Sequence, residues 1–281
     1  MNWLTILFIF FFGAILGSFL NVLIYRFNPE EEKFSFIKSA KGRSKCPHCN
    51  KVLLWFELIP ILSFIIQKGR CNGCKKKISR RYIIIELLTG IVFVLIAYKF
   101  FSFPPFFLFW LFIAFFLILI SAIDFYHYLI PDNLIKIIFG IGLFPAIATQ
   151  LFHSFAAINY LGYYSYLFPR LNYELLNYLI GIFSFSSLLF IISIISNEKY
   201  MGMGDVKLMA VLGLILGWPA VILVFILSFL SGAFLGLALI FLKKKSLASA
   251  LPFGPFLAFS ALAVALWGEQ ILKIYFKIAG L

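Results

Sequence analysis

The chain has three aspartates in 281 residues, Asp124, Asp132 and Asp205. Chemistry that needs paired carboxylates therefore has few places to reside. Asp124 closes an apolar run in LILISAIDFYHYLIPD, and Asp205 opens another in KYMGMGDVKLMAVLGLILGW. Ionisable groups at membrane depth are costly, and they face a partner or a wet cavity. Two carboxylates brought together cannot both ionise easily, so one keeps a proton while the other stays charged. A charged carboxylate activates water and a protonated one polarises a carbonyl, which is the arrangement for aspartyl hydrolysis of a peptide. Gly202 and Gly204 let the backbone bend into a helix start beside Asp205 and leave room for a substrate strand. Simpler readings stand beside this one. Asp205 is also suited to cap a helix, Asp124 and Asp132 to a surface turn, and Asp132 to capping the helix that follows Ile-Pro.

The four cysteines form two pairs, Cys46-Pro47-His48-Cys49 and Cys71-Asn72-Gly73-Cys74. Two CxxC knuckles at this separation are the spacing of a zinc ribbon. Two disulfides or free thiols are the alternatives, and a reducing cytoplasm disfavours the former. His48 lies between two ligands and is not expected to be a fifth. Four thiolates close the coordination sphere and leave no position for water, so the expected zinc is structural and the chemistry lies elsewhere. Lys75, Lys76, Lys77, Arg80 and Arg81 follow the second pair and suit a basic anchor to membrane lipid. Glu86 is read as a local ion pair with Arg81, His127 as interfacial and His153 as external.

The elements that must hold these residues are membrane helices. The chain is 63% hydrophobic and 12% charged, against about 25% charge in soluble domains. Apolar runs predict eight crossings, at roughly 3–25, 82–99, 105–123, 133–152, 174–195, 206–217, 219–242 and 252–276. The sixth is too short to span alone. Fourteen of the 24 Lys and Arg lie between Arg26 and Arg81, and three more are Lys243, Lys244 and Lys245. The positive-inside rule puts both loops in the cytoplasm and both termini outside. Asp124 and Asp205 then share the cytoplasmic boundary. The net charge of +13 reads as an orientation signal, and no nucleic-acid partner is expected. The first apolar run reads as a retained helix, and no internal repeat is visible. The loop 153–173, rich in Tyr and Phe, is placed at the outer interface. Ser228, Gly232 and Gly236 suit close helix packing. The expected fold is an all-α polytopic membrane protein of about eight transmembrane helices with a small cytoplasmic zinc-ribbon-like insert. Its parts are a first helix at 1–26, a zinc-binding insert at 27–81 and a membrane-embedded core at 82–281.

Five blocks in order carry a resemblance. They are GSFLNVLIYR at 17–26, SKCPHCNKVLLWFELIPILSFIIQKGRCNGCKKKISRRYIIIELLTG at 44–90, SAIDFYHYLIPD at 121–132, GMGDVKLMAVLGLILGW at 202–218 and LPFGPFLA at 251–258. The chain resembles the type IV prepilin peptidases, membrane aspartyl proteases of the GxGD kind. The resemblance implies that Asp124 and Asp205 are catalytic, and that prepilins and pilin-like secretion subunits are the substrates. Cleavage would follow the glycine that ends a short basic leader. It also implies methylation of the new N-terminal amine with S-adenosylmethionine, whose binding residues no motif reveals. It implies a bacterial inner-membrane location with the catalytic face toward the cytoplasm. The loop 153–173 is longer than the family leads one to expect. Two rival readings are a non-enzymatic membrane assembly factor with a zinc-ribbon docking domain, which needs the cysteines but not both aspartates, and a related intramembrane protease acting on other helices.

Overall fold

Runs of Leu, Ile and Phe with almost no charge must satisfy their backbone polar groups internally, and only helices do this segment by segment. The computed structural model is helical accordingly. It describes residues 1–29, 34–151, 160–161, 174–242 and 251–279. The expected loop 153–173, apart from 160–161, and the cluster Lys243 to Lys245 lie outside the described residues. Contacts divide the chain after Leu119 into two units, Met1–Leu119 and Ile120–Leu281.

The first unit contains α1 (Trp3–Tyr25), the short helices α2 (Phe36–Ala40) and α3 (Leu62–Ile66), α4 (Arg81–Phe100) and the start of α5 (Pro104–His127). α1 and α4 approach closely because glycine faces backbone. A methyl group on Gly13 would lie 2.9 Å from Gly90 Cα, and one on Gly17 2.8 Å from Glu86 Cα. Asn21 continues this four-residue rhythm, and its amide donates to Tyr82 O at 3.0 Å. Positions 13, 17 and 21 thus meet 90, 86 and 82 in antiparallel register. The sequence contained this signal as a GxxxG pair one turn before Asn21. The Arg26 guanidinium staples the start of the insert by donating to the carbonyls of Ser39, Lys41, Gly42 and Arg43.

The second unit contains the end of α5, α6 (Asp132–Leu151), α7 (Glu174–Ile195), α8 (Met203–Leu216), α9 (Ala220–Phe241) and α10 (Gly254–Ala279). α7 and α8 touch through Gly181 and Gly213, where a methyl group on either would run into the other's carbonyl oxygen. α10 bends at Trp267, whose φ of −133° is not helical. The close packing expected at Ser228, Gly232 and Gly236 is made against side chains rather than backbone: Ser228 is buried, and a methyl group on Gly236 would lie 3.2 Å from Leu251 Cδ1. Gly232 has ordinary contact with Phe256 at 3.5 Å, and Phe229 meets Phe253 with ring centroids 5.0 Å apart.

Among the described residues, six helices are long and apolar enough to cross a membrane: α1, α4, α5, α7, α9 and α10. The expected count of eight is therefore not reached. The other two expected crossings fall on α6 and α8. With 14 residues, α8 reaches about 21 Å at 1.5 Å per residue, short of a hydrocarbon core of about 30 Å.

Candidate functional site

Asp124 lies in the last turn of α5 and is buried. Its Oδ2 accepts a hydrogen bond of 2.9 Å from the Gly254 N–H, the first residue of α10. Helix N-termini present N–H groups with no partner in their own helix, and a carboxylate is well suited to receive one. Asp205 lies in the first turn of α8, whose N-cap is Gly202. It is therefore not the cap itself. Its carboxylate takes a hydrogen bond from the Gly202 backbone, and it is close enough to Asp124 for the two charges to interact. Its Oδ1 is buried without a hydrogen-bond partner among the described residues. The structure thus brings Asp124 and Asp205 to one place, although 80 residues separate them in sequence.

Glycines make that meeting possible. A methyl group on Gly254 would stand 2.8 Å from Asp124 Oδ2, and one on Gly204 would stand 3.0 Å from Ile130 Cβ. Ile130 is buried, and its Cδ1 lies 3.2 Å from the same point at Gly254. The segment between α5 and α6 therefore wedges between the starts of α8 and α10. Tyr128 begins this segment with φ 54° and donates its N–H to Asp124 O at 2.8 Å.

Asp132 is elsewhere in this arrangement. It is exposed at the start of α6, and both its oxygens accept from Lys207 Nζ, at 2.7 and 2.9 Å. Leu134 N bonds to Pro131 O, so α6 winds from Pro131 onward. The expected capping role gives way to an ion pair with α8. Sequence reasoning passed over Lys207 and Gly254. Both stand in quoted blocks, as the lysine two residues after Asp205 and the glycine of LPFGP.

The four cysteines converge in the first unit, with their sulfurs within 4.8 Å of one another. Cys46 and Cys74 are 3.9 Å apart, and Cys49 and Cys71 4.0 Å. A tetrahedral ion with metal–sulfur bonds of about 2.3 Å spaces its sulfurs about 3.8 Å apart. The thiols are free rather than disulfide-bonded, so the tetrad can bind one metal ion. Each knuckle is built alike. Cys46 N bonds to Lys51 O and Cys71 N to Lys76 O, around the left-handed residues Asn50 (φ 55°) and Lys75 (φ 59°). The backbone N–H groups of Cys74 and Gly73 donate to the Cys71 sulfur and hold its thiol down at about 7, ready to ligate as thiolate.

Glu57, not singled out from sequence, ties the two knuckles together. Its carboxylate accepts from Leu54 N at 2.9 Å, from Lys51 Nζ at 3.1 Å and from Asn72 Nδ2 at 3.1 Å. These bonds, led by the one from Leu54 N–H, keep its carboxyl below the usual carboxylate range despite burial. Glu86 is buried in α4, and its Oε2 accepts from Ile61 N at 2.8 Å. The glutamate expected to pair locally with Arg81 thus ties the insert to α4.

Comparison with known proteins agrees along almost the whole chain. A model described as the bacterial peptidase A24 N-terminal domain matches residues 11–100, and one described as the type IV leader peptidase family matches 110–237. A prepilin leader peptidase/N-methyltransferase from Aeromonas hydrophila is 34% identical, covering 98% of this chain and 95% of that protein. Proteins of the same description from Stutzerimonas stutzeri and Legionella pneumophila are each 31% identical. They cover 96% and 97% of this chain and 93% and 95% of their own lengths. No solved structure matches.

Proposed function

We propose, because this chain belongs to the type IV leader peptidase family, that it removes the leader of prepilins and pilin-like secretion subunits and methylates the amine so exposed. Asp124 and Asp205 are the catalytic pair. One takes a proton from water as the water attacks the scissile carbonyl; the other, protonated, donates to the carbonyl oxygen. The C–N bond then breaks, and the departing amine takes up a proton. Gly254 N–H orients Asp124 and Gly202 N–H orients Asp205. Gly202 and Gly204 leave room beside Asp205 for the substrate backbone. The carrying observation is the convergence of these two aspartates, with Asp132 held away in an ion pair to Lys207. An assembly factor would have no use for that convergence.

The enzyme lies in the bacterial inner membrane with this site at the cytoplasmic boundary, a reading supported by the cluster of Lys and Arg between 26 and 81. A basic leader stays inside by the same rule, so the scissile bond meets the aspartates where the substrate's apolar helix enters the bilayer. Cys46, Cys49, Cys71 and Cys74 hold a structural zinc. S-adenosylmethionine, when bound, supplies a methyl group to the new amine: an N–C bond forms, the C–S bond breaks and a proton leaves the nitrogen. The test is incubation of the purified chain with a prepilin and S-adenosylmethionine, followed by mass spectrometry of the product's N-terminus. A shortened and methylated pilin is expected. An uncut prepilin with folded enzyme overturns the reading.

A further inference from the structure

A cavity of about 880 Å³ opens in the first unit between the C-terminal end of α1, the N-terminal end of α4 and the cysteine-bearing insert. This volume is within the range of about 300–1,000 Å³ that small-molecule sites occupy. None of the residues placed at the aspartate site, Asp124, Ile130, Gly202, Gly204, Asp205 or Gly254, lines it. Its floor carries two acceptors. Asn21 is 1% exposed and Glu86 7% exposed, and both line the cavity. The Asn21 amide spends its donors on Gly17 O and Tyr82 O, while its Oδ1 is buried with no partner among the described residues. A buried carbonyl oxygen left without a donor is destabilising, and a ligand that donates there removes the cost. The rim is of opposite character, with the exposed cations Lys45, Lys76 and Lys77.

We infer that this cavity holds the S-adenosylmethionine of the methylation reaction, an inference that rests on the methylation reading above. The donor set fits the molecule. Ribose hydroxyls and the adenine amino group are donors for Asn21 Oδ1 and the Glu86 carboxylate, as acidic side chains serve ribose in nucleotide sites. The carboxylate of the methionine portion suits the cationic rim. A phosphate group matches the rim alone, because it offers acceptors to a floor that needs donors. The site also gives the insert a part in the second reaction. Glu86 accepts from the Ile61 N–H, and Cys46 and Cys71 line the cavity wall, so the metal-held knuckles shape the methyl-donor site.

The test is equilibrium binding of radiolabelled S-adenosylmethionine to the purified full chain, with ultraviolet cross-linking and peptide mapping of the adduct. Asn21→Leu and Glu86→Gln each lower affinity about tenfold or more, while gel filtration and zinc content report that the variants are folded. On the unsubstituted chain, cross-links fall on the lining segments 18–26, 41–58 or 63–86. Cross-links confined to 120–281, or variants that bind as the parent does, overturn the cavity assignment and leave methylation standing. A parent chain that neither binds the compound nor methylates the cleaved pilin overturns both.

Discussion

The contact between Gly254 and Asp124 invites a single-methyl perturbation, Gly254→Ala. Gly254 has its N–H on Asp124 Oδ2 at 2.9 Å, and a Cβ added there would lie 2.8 Å from the same oxygen and 3.2 Å from Ile130 Cδ1. Carbon-to-oxygen contacts settle at about 3.3 Å or more, so the carboxylate must retreat by about half an ångström. That retreat breaks or bends its hydrogen bond from α10. A hydrogen bond to a charged group contributes about 1.5–3 kcal/mol. Its loss at the transition state lowers the rate about ten- to a hundredfold. The assay is single-turnover conversion of prepilin to mature pilin in detergent micelles, with folded fraction checked by gel filtration. Gly140→Ala is the control, since a methyl group there meets nothing within 4 Å. It should cleave as the parent does. If folded Gly254→Ala also cleaves at the parent rate, the orientation of Asp124 by α10 plays no part in catalysis.

Asp124→Asn and Asp205→Asn should each remove nearly all cleavage, with the double variant little worse, because groups acting as a unit are non-additive. Asp132→Asn should retain most activity in the same pilin-conversion assay, since its partner is an exposed lysine and such pairs contribute about 0–1 kcal/mol. Elemental analysis should find one zinc per chain, lost on replacement of any of Cys46, Cys49, Cys71 or Cys74 by serine. Titration with a chromophoric chelator should show zinc held more weakly as pH falls through about 7, where protons reclaim the Cys71 sulfur. Glu57→Gln should loosen the insert, seen as faster proteolysis within 27–81. Because the folded carboxyl is held below its ordinary value, its contribution is present above the unfolded carboxylate pKa. It is lost as pH falls through the folded value, so parent and variant should converge in acid.

Much of this protein is legible in the residue string because the signals are local. Apolar runs without charge have no choice but helices in lipid, and paired CxxC knuckles carry their metal geometry in four residues each. The scarcity of aspartate narrowed the pair to three candidates before any fold was known. Chain order alone did not determine which candidates meet. Asp124 and Asp132 are close in sequence, yet only Asp124 is brought to Asp205, while Asp132 turns to Lys207. That choice depends on Ile130 fitting against Gly204 and Gly254, glycines from two other helices. Glu57, Gly254 and Asn21 escaped notice for the same reason: their partners lie on other segments, and no spacing rule reports a contact made across helices. The shortness of α8 was legible as the run 206–217, too short to span alone; the tertiary structure adds where it stops, at Gly217, whose φ is 68° and which lies against Tyr178 of α7. Hydropathy measures what a segment tolerates; packing against its neighbours determines where it stops and which side chains it presents.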